Sequence, residues 1–170
     1  MHTMNIVIID LETTGLDPVK HEILEIGAVK VDTGETFECK VHPLHIKLAD
    51  PKALEINGYK KEDWEEEAFL LPNALKLLNE FLGKDTVYLM TYNITFDWGF
   101  LREAYKSTGI KAPFHYHKLD LLTLAWSKLP PGSSLSLKNV SSILGIDPEP
   151  PVHRALSGAL CAHEVYKKLI

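Results

Sequence analysis

The chain has 170 residues, of which 45% are hydrophobic and 24% are charged, proportions that exclude a disordered or fibrous protein. This length suits a single domain covering residues 1–170. The formal net charge of −5 argues against a protein that holds nucleic acid through a broadly basic face, so any nucleic-acid role must act locally.

The sequence also limits the expected location. It contains no run of about 20 apolar residues that would cross a bilayer. Its N-terminus lacks the basic, apolar and small-residue segments of a signal peptide. Cys39 and Cys161 are too few for a disulfide framework and too far apart for a zinc motif. We therefore expect a cytoplasmic protein with reduced thiols and no membrane association.

The first quarter of the chain has the pattern of strands. Residues 5–11 form a continuous apolar run rich in β-branched side chains, which predicts a central strand covered on both faces. Further strands are predicted at residues 23–31 and 36–41, and the last of these alternates apolar and polar side chains. The Asp-Thr-Gly turn at residues 32–34 joins these two strands. The chain therefore opens with three antiparallel strands.

After residue 50 the pattern becomes mainly helical. Residues 60–67 read as a charged helix face, and Pro72 and Gly83 mark the start and end of an amphipathic helix. The remaining predicted elements are a strand at 87–92, a helix at 96–108, a strand at 114–119, helices at 121–129 and 137–144, a Pro-rich segment at 147–151 and a helix at 154–169. This order predicts a mixed sheet with helices packed on its faces.

Three carboxylates are candidates for chemistry. Asp10 and Glu12 lie two residues apart near the end of the first strand, so both face the same side of the sheet. Like charges beside a core are costly unless a cation neutralises them, and carboxylate oxygens suit Mg²⁺ or Mn²⁺. The alternative is a strand ending in a solvated acidic turn. Asp97, in the first turn of a predicted helix, either joins this site or stabilises the helix N-terminus.

Three segments resemble, in order, the motifs of one enzyme family. Residues 10–16, Asp-Leu-Glu-Thr-Thr-Gly-Leu, resemble the first exonuclease motif of the DnaQ-like family of DEDDh type, which includes bacterial DNA polymerase III proofreading subunits. Residues 92–97, Tyr-Asn-Ile-Thr-Phe-Asp, resemble the second motif, and residues 153–159, His-Arg-Ala-Leu-Ser-Gly-Ala, resemble the third. The resemblance implies an α/β, RNase H-like fold with a mixed five-stranded sheet and helices on both faces.

The same resemblance implies 3′ to 5′ hydrolysis of phosphodiester bonds in single-stranded nucleic acid with two divalent ions, Mg²⁺ or Mn²⁺. Asp10 would bridge both ions, Glu12 would bind the ion that activates water, and Asp97 would act near the second ion. His153 would be the general base, since an imidazole titrates near neutral pH. Without the resemblance, His153 reads as a solvated residue at a helix start.

The resemblance also implies contacts to the terminal nucleotide. One wall would consist of Thr13, Thr14, Gly15 and Leu16, the opposite wall of Ile56, Asn57 and Gly58, and the path of the strand would be lined by Asn93 and Phe96. Core packing is the alternative role for Ile56 and Phe96.

The third motif departs from the family pattern at Gly158, where the family has a metal-binding aspartate. The residues one helical turn away, Arg154, Ala155, Cys161 and Ala162, include no carboxylate that would compensate. We therefore expect weak metal binding and slow cleavage. A deliberate knockout, a natural loss of activity and a site completed by water all remain open as explanations.

Two classes of function remain. One is an exonuclease, either stand-alone or acting with a DNA polymerase, and the other is a catalytically silent module that binds nucleic acid or a polymerase. The Thr13-Thr14 form of the first motif resembles the DNA-directed branch of the family, so DNA 3′ ends are expected, with RNA as the alternative. The chain's end at Ile170 favours a stand-alone enzyme. His115 and His117 are a weaker metal-binding pair without a third ligand.

Overall fold

The computed structural model describes residues 4–147 and 152–170, so most of the predicted Pro-rich segment lies outside the described residues. One sheet contains β1 (Ile6–Thr13), β2 (Ile23–Lys30), β3 (Thr36–Lys40), β4 (Tyr88–Thr91) and β5 (Leu119–Asp120). The order across the sheet is β3-β2-β1-β4-β5. The first three strands are antiparallel, while β4 is parallel to β1 and to β5. The predicted mixed five-stranded sheet is therefore confirmed.

The helices of the described residues are α1 (Pro51–Asn57), α2 (Lys61–Glu67), α3 (Leu71–Leu82), α4 (Ile94–Thr108), α5 (Leu121–Lys128), α6 (Leu137–Ile143) and α7 (Ala155–Leu169). A short 3₁₀ turn, Ile46–Leu48, precedes α1. The predicted start and end of α3 are confirmed, with Pro72 in its first turn and Gly83 after it at φ 87°. Of these helices, α1 was not predicted from the sequence.

Two hydrophobic cores cover the two faces of the sheet. Val7 and Ile9 of β1 point to one core, which contains side chains of α3 and α4. Ile8 points to the other, which contains side chains of α5, α6 and α7. Because side chains alternate along a strand, Asp10 and Glu12 lie on the same face as Ile8, the face that α7 covers. None of the helices of the described residues is long and apolar enough to span a membrane.

The strand predicted at residues 114–119 is wrong over most of its length. Phe114 makes only an isolated bridge with Val87, and β5 contains two residues. Between them, the N–H of His117 donates to Nδ1 of His115 at 3.1 Å. Such local side-chain bonds compete with the strand ladder. His115 and His117 therefore do not share a strand face.

Candidate active site

A cavity of about 360 Å³ opens beside the C-terminal end of β1. Its walls come from β1, α1, α4, α6, α7 and the residues just before α7. The predicted site residues that line it are Asp10, Glu12, Thr13, Gly15, Leu16, Ile56, Asn57, Phe96 and His153. Residues from all three motifs therefore meet at one cavity, although they lie far apart in the sequence.

The two carboxylates of β1 lie on the same face of the sheet, as predicted, and both line the cavity. Asp10 is half-buried and Glu12 is buried. On the neighbouring strand β2, Gly27 is the register partner of Asp10 and Glu25 is the register partner of Glu12. A buried carboxylate on each of two adjacent strands makes this end of the sheet unusually acidic for a protein interior.

Asp97 lies in the first turn of α4, as predicted, but it is only 4% exposed. It does not line the cavity itself, and its carboxylate accepts a hydrogen bond from the backbone N–H of Leu11, between the two β1 carboxylates. Burial raises the pKa of Asp97 to about 7, against the opposing effect of its hydrogen bonds. Asp97 is therefore a buried carboxyl at the start of α4, and its contact with Leu11 joins α4 to the strand that carries Asp10 and Glu12.

Gly158 on α7 lies directly against Asp10. A Cβ atom at position 158 would be 2.7 Å from Cγ of Asp10, closer than any real contact of this kind. The Asp10 carboxylate therefore occupies part of the volume that a side chain at position 158 would need.

A second glycine brings α7 close to the sheet. A Cβ atom on Gly27 would overlap the backbone of Ala155 and Leu156 in the first turn of α7. Only glycine permits this approach, and the same first turn leads to Gly158. The pairing of Asp10 with Gly27 across β1 and β2 therefore also fixes how near α7 lies to Asp10.

His153 and Arg154, the two residues before α7, each form a contact with another element of the fold. His153 is exposed at the cavity, and its backbone N–H donates to the carbonyl of Ile56 at 3.2 Å, which joins the two walls. Arg154 follows, and its Nη2 lies 2.5 Å from Oε1 of Glu25. The same guanidinium lies over the ring of Trp64, 5.6 Å from the ring centroid.

The residues expected along the nucleotide walls divide into two groups. Thr13 donates its hydroxyl proton to the carbonyl of Gly15 at 2.7 Å, and Asn57 donates from Nδ2 to the carbonyl of Thr13 at 2.8 Å. These two hydrogen bonds fix the conformation of the cavity lining. Thr14 is buried outside the lining, where its hydroxyl accepts the N–H of Glu22. Gly58 ends α1 in the left-handed conformation and also lies outside the lining.

The apolar residues expected at the site have different surroundings. Ile56 is 41% exposed, so its alternative role in core packing is wrong. Phe96 lines the cavity and also packs on Phe100, with ring centroids 5.1 Å apart, so packing is confirmed and contact with a strand stays a prediction. Asn93 is exposed and lines a neighbouring cleft rather than this cavity.

Sequence reasoning missed several lining residues, among them Ala53, Leu137 and Ser157. It also missed Glu25, which is 1% exposed and supports Arg154. A glutamate within the apolar run of β2 was the available signal, because a buried carboxylate requires a partner. Ala53 and Leu137 carry no comparable signal.

The donor chemistry of the site suits the divalent ions that the family resemblance implies. Asp10 and Glu12 line one cavity, and the Asp97 carboxylate lies against the strand between them. However, no three carboxylate, imidazole or thiol groups in residues 4–147 and 152–170 are grouped closely enough to hold an ion. The donors therefore fit such an ion in kind but form an incomplete set, and Gly158 adds none.

Comparisons with known proteins match almost the whole chain. The RNase_T family model, an exonuclease family, matches residues 7–166. A PolC-type DNA polymerase III of Thermotoga maritima is 36% identical over 170 residues, which cover 96% of this chain and 12% of that protein. The DNA polymerase III subunit epsilon of Rickettsia typhi is 33% identical over 178 residues, covering 99% of this chain and 75% of the subunit.

The fold has a close structural counterpart. The zinc-bound E. coli exonuclease I complex with single-stranded DNA superposes with a TM-score of 0.82 at 18% identity, covering 98% of this chain and 40% of that chain. This likeness establishes the shared fold. Together with the match over residues 7–166, it leads to one conclusion: this chain belongs to the RNase_T family of exonucleases.

Proposed function

We propose that this chain is a metal-dependent 3′ to 5′ exonuclease domain that acts on single-stranded DNA, with an activity lowered by Gly158. The observation that carries the proposal is the meeting of Asp10, Glu12 and His153 at one cavity, with Asp97 behind β1. A DNA substrate is supported by two DNA polymerase III relatives and by the DNA complex of the structural counterpart.

The residues of the site suggest a division of roles. Asp10 and Glu12 would hold two divalent cations, Mg²⁺ or Mn²⁺, which when bound supply water activation and stabilise the charge on phosphate oxygens. His153, exposed at the cavity, accepts a proton from the attacking water as a general base. The hydrogen bond from His153 N–H to Ile56 keeps this residue at the cavity edge.

Two exposed apolar side chains give the terminal nucleotide its binding surface. Leu16 is 78% exposed and Ile56 is 41% exposed, and both line the cavity from different walls. Apolar side chains at a cleft provide contacts to a sugar and base that do not depend on sequence. We propose that the last nucleotide of the strand binds between them, with its phosphodiester bond near Asp10 and Glu12.

The wider biological setting belongs to the same proposal. A DNA polymerase is the proposed partner, and the cytoplasm the proposed location, because the relatives are bacterial DNA polymerase III proteins. RNA is the alternative substrate. The chain spans 12% of the length of the PolC-type relative and 75% of the length of the epsilon subunit.

The direct test compares the parent chain with Gly158→Asp on a 5′-labelled single-stranded DNA oligonucleotide with Mg²⁺ or Mn²⁺. Loss of supporting groups around a metal ligand costs 10–100-fold in activity, so restoring a direct ligand should accelerate cleavage by about a hundredfold. Gly158→Asn is the matched control, because it has nearly the same size without the charge. Equally rapid cleavage by the parent and Gly158→Asp contradicts the proposed effect of Gly158.

A second variant shows where cleavage occurs. Asp10→Ala in the Gly158→Asp background should abolish release of mononucleotides from the 3′ end. Persistent cleavage in that variant would place the activity outside this cavity and overturn the proposal.

The absence of a carboxylate at position 158 favours a second candidate, a module that binds DNA without cutting it. This function predicts that the parent chain binds the oligonucleotide but releases no nucleotide, even at high Mn²⁺ concentration. The cleavage assay of the parent, run beside a binding assay, separates the two functions.

A further inference from the structure

A cleft of about 710 Å³ adjoins the candidate active site, and Leu16 and Phe96 line both. We call it the cationic cleft, because its described lining includes Arg102 and Lys118 and no carboxylate. This composition is unusual in a chain with a formal net charge of −5. By contrast, Asp10 and Glu12 line the active-site cavity.

Lys118 is positioned by the protein but keeps a proton to donate. Its Nζ donates to the carbonyls of His115 and Tyr116 at 3.1 and 3.3 Å, and it lies 3.9 Å from the ring centroid of Trp98. An ammonium group has three donor protons, so two backbone acceptors leave one for a ligand. Lys118 forms no ion pair with a carboxylate in the described part of the chain. Partial burial also lowers the pKa of Lys118, because water does not fully solvate its ammonium group.

Arg102 supplies the second charge. Its Nη2 lies 3.3 Å from Oε1 of Glu103, but Nζ of Lys106 lies 3.2 Å from Oε2 of the same carboxylate. One carboxylate shared by two cations leaves a net positive charge at this edge of the cleft. The guanidinium also has five donor groups, of which the partly buried carboxylate of Glu103 uses only part.

The indole of Trp98, which lines the cationic cleft, is not free for base stacking. Lys118 covers one region of the Trp98 ring, and Trp98 also packs edge-on against Phe114 with centroids 6.2 Å apart. The exposed polar residues Asn93 and Thr95 add hydrogen-bonding groups to the lining. These groups recognise a charged backbone rather than a particular base.

We propose that the cationic cleft binds the phosphodiester backbone of the strand upstream of the 3′-terminal nucleotide, through Lys118 and Arg102. The inference rests on the proposed function, because the strand must have its 3′ end in the adjoining cavity. The shared residues Leu16 and Phe96 lie where the strand passes from the cavity into the cleft. An acidic chain thereby gains local attraction for DNA without a basic face.

The test measures binding by fluorescence anisotropy with 5′-labelled thymidine dinucleotide and pentanucleotide, in excess EDTA so that metal-dependent cleavage does not interfere. Lys118→Ala and Arg102→Ala are compared with Lys118→Arg, which keeps the charge. Lys76→Ala is the matched control, because Lys76 is exposed on α3 and lines neither cavity. Thermal unfolding of each variant checks that it is folded. Arg102→Ala tests the cleft independently, in case Lys118→Ala disturbs the loop around it.

For the pentanucleotide, we expect Lys118→Ala and Arg102→Ala each to weaken binding about fivefold and to lower the salt-dependence slope by about 0.7. The dinucleotide should lose much less, and Lys118→Arg and Lys76→Ala should bind like the parent. If both alanine variants bind the pentanucleotide with the affinity and salt dependence of the parent, the cationic cleft does not bind the strand. The proposed exonuclease function would be unaffected by that result. An equal loss of affinity in Lys76→Ala would also contradict the proposal, because the net charge of the protein would then explain the effect. If the parent binds neither oligonucleotide, the cleft and the proposed DNA substrate both fail.

Discussion

The buried carboxylate of Glu25 forms an ion pair with Arg154 across 129 residues of sequence, with Oε1 and Nη2 2.5 Å apart. Glu25 is the register partner of Glu12, and Arg154 directly follows His153. The other oxygen of Glu25 accepts the N–H of Ala155 at 3.3 Å. One side chain of β2 therefore holds the start of α7 beside the candidate active site.

The ion pair predicts an asymmetric effect of mutation. Arg154→Ala should cost about 3 kcal/mol of unfolding free energy, because it leaves Glu25 buried without its cation. Glu25→Ala should cost less, about 2 kcal/mol, since the side chain of Arg154 is 31% exposed and water can solvate it. Urea unfolding at pH 8 measures both, and the double variant should be more stable than Arg154→Ala. Equal losses from the two single variants would contradict this account.

The same pair has a pH signature. Burial raises the pKa of Glu25, whereas Arg154 and the Ala155 N–H favour its charged form. A carboxyl with a raised folded-state pKa binds its proton more tightly in the folded protein, so its contribution weakens as pH rises above the unfolded value. Arg154→Ala removes an opposing charge and raises that pKa further. The stability loss of Arg154→Ala should therefore shrink as pH is lowered from 8 to 5, in contrast to a pH-independent packing defect.

The close approach of α7 to β2 predicts that Gly27→Ala is strongly destabilising. Its Cβ would overlap the backbone of Ala155 and Leu156, and backbone cannot move aside as a flexible side chain can. We expect a loss of about 3 kcal/mol in unfolding free energy, together with loss of any nuclease activity. Gly99→Ala is the matched control, because its Cβ would meet Pro18 Cγ at an ordinary 3.5 Å. That variant lies within α4 and should gain up to about 1 kcal/mol. Similar unfolding curves for the two variants would contradict the close-contact argument.

The parts of the fold that follow from local patterns could be predicted from the sequence. The apolar run of β1 and the alternating pattern of β3 are properties of neighbouring residues, and so is the Pro72 to Gly83 frame of α3. The strand prediction for residues 114–119 was wrong because the N–H of His117 donates to Nδ1 of His115 instead of to a neighbouring strand. Such a choice between two local hydrogen-bonding patterns is not encoded in periodicity.

The candidate site also contains some residues whose positions local sequence patterns predict and others that depend on tertiary contacts. The local pattern predicted where Asp10, Glu12 and Asp97 lie, at a strand end and a helix start, whereas their role in binding metal is implied by the family resemblance and stays a prediction. The role of Glu25 depends on Arg154, a residue that no local pattern connects to it. Trp64 is 1% exposed although the segment 60–67 reads as a charged helix face, since burial of one side chain on a short helix is decided by tertiary packing.

Gly158 predicts a stability change that depends on metal. Without metal, Gly158→Asp should be less stable than Gly158→Ala by about 1–2 kcal/mol, because both introduce a Cβ against Asp10 but only aspartate adds a like charge. With Mn²⁺ the order should reverse, since a ligand that binds only the folded state stabilises it. Thermal unfolding with EDTA and with Mn²⁺ measures this. If Mn²⁺ raises the Tm of the aspartate and alanine variants equally, position 158 is not a metal-binding position.

The burial of Asp97 predicts how the metal-free protein responds to pH. The ordinary pKa of an aspartate carboxyl is 3.8, and burial raises the pKa of Asp97 to about 7 in the folded chain. The folded state therefore binds this proton more tightly than the unfolded state does, so its contribution to stability falls as pH rises from about 4 to about 7. Asp97→Asn keeps the size and an oxygen that can accept the Leu11 N–H, but it removes the titration.

In excess EDTA, Asp97→Asn should therefore be more stable than the parent at pH 8, by about 4 kcal/mol, and similar to it at pH 4. Urea unfolding across this range gives the comparison. Glu62→Gln is a suitable control, because it removes one carboxylate from an exposed position on α2. A constant difference between Asp97→Asn and the parent at every pH would show that Asp97 does not titrate in this range. The burial of its carboxyl would then contribute nothing to the pH dependence of folding.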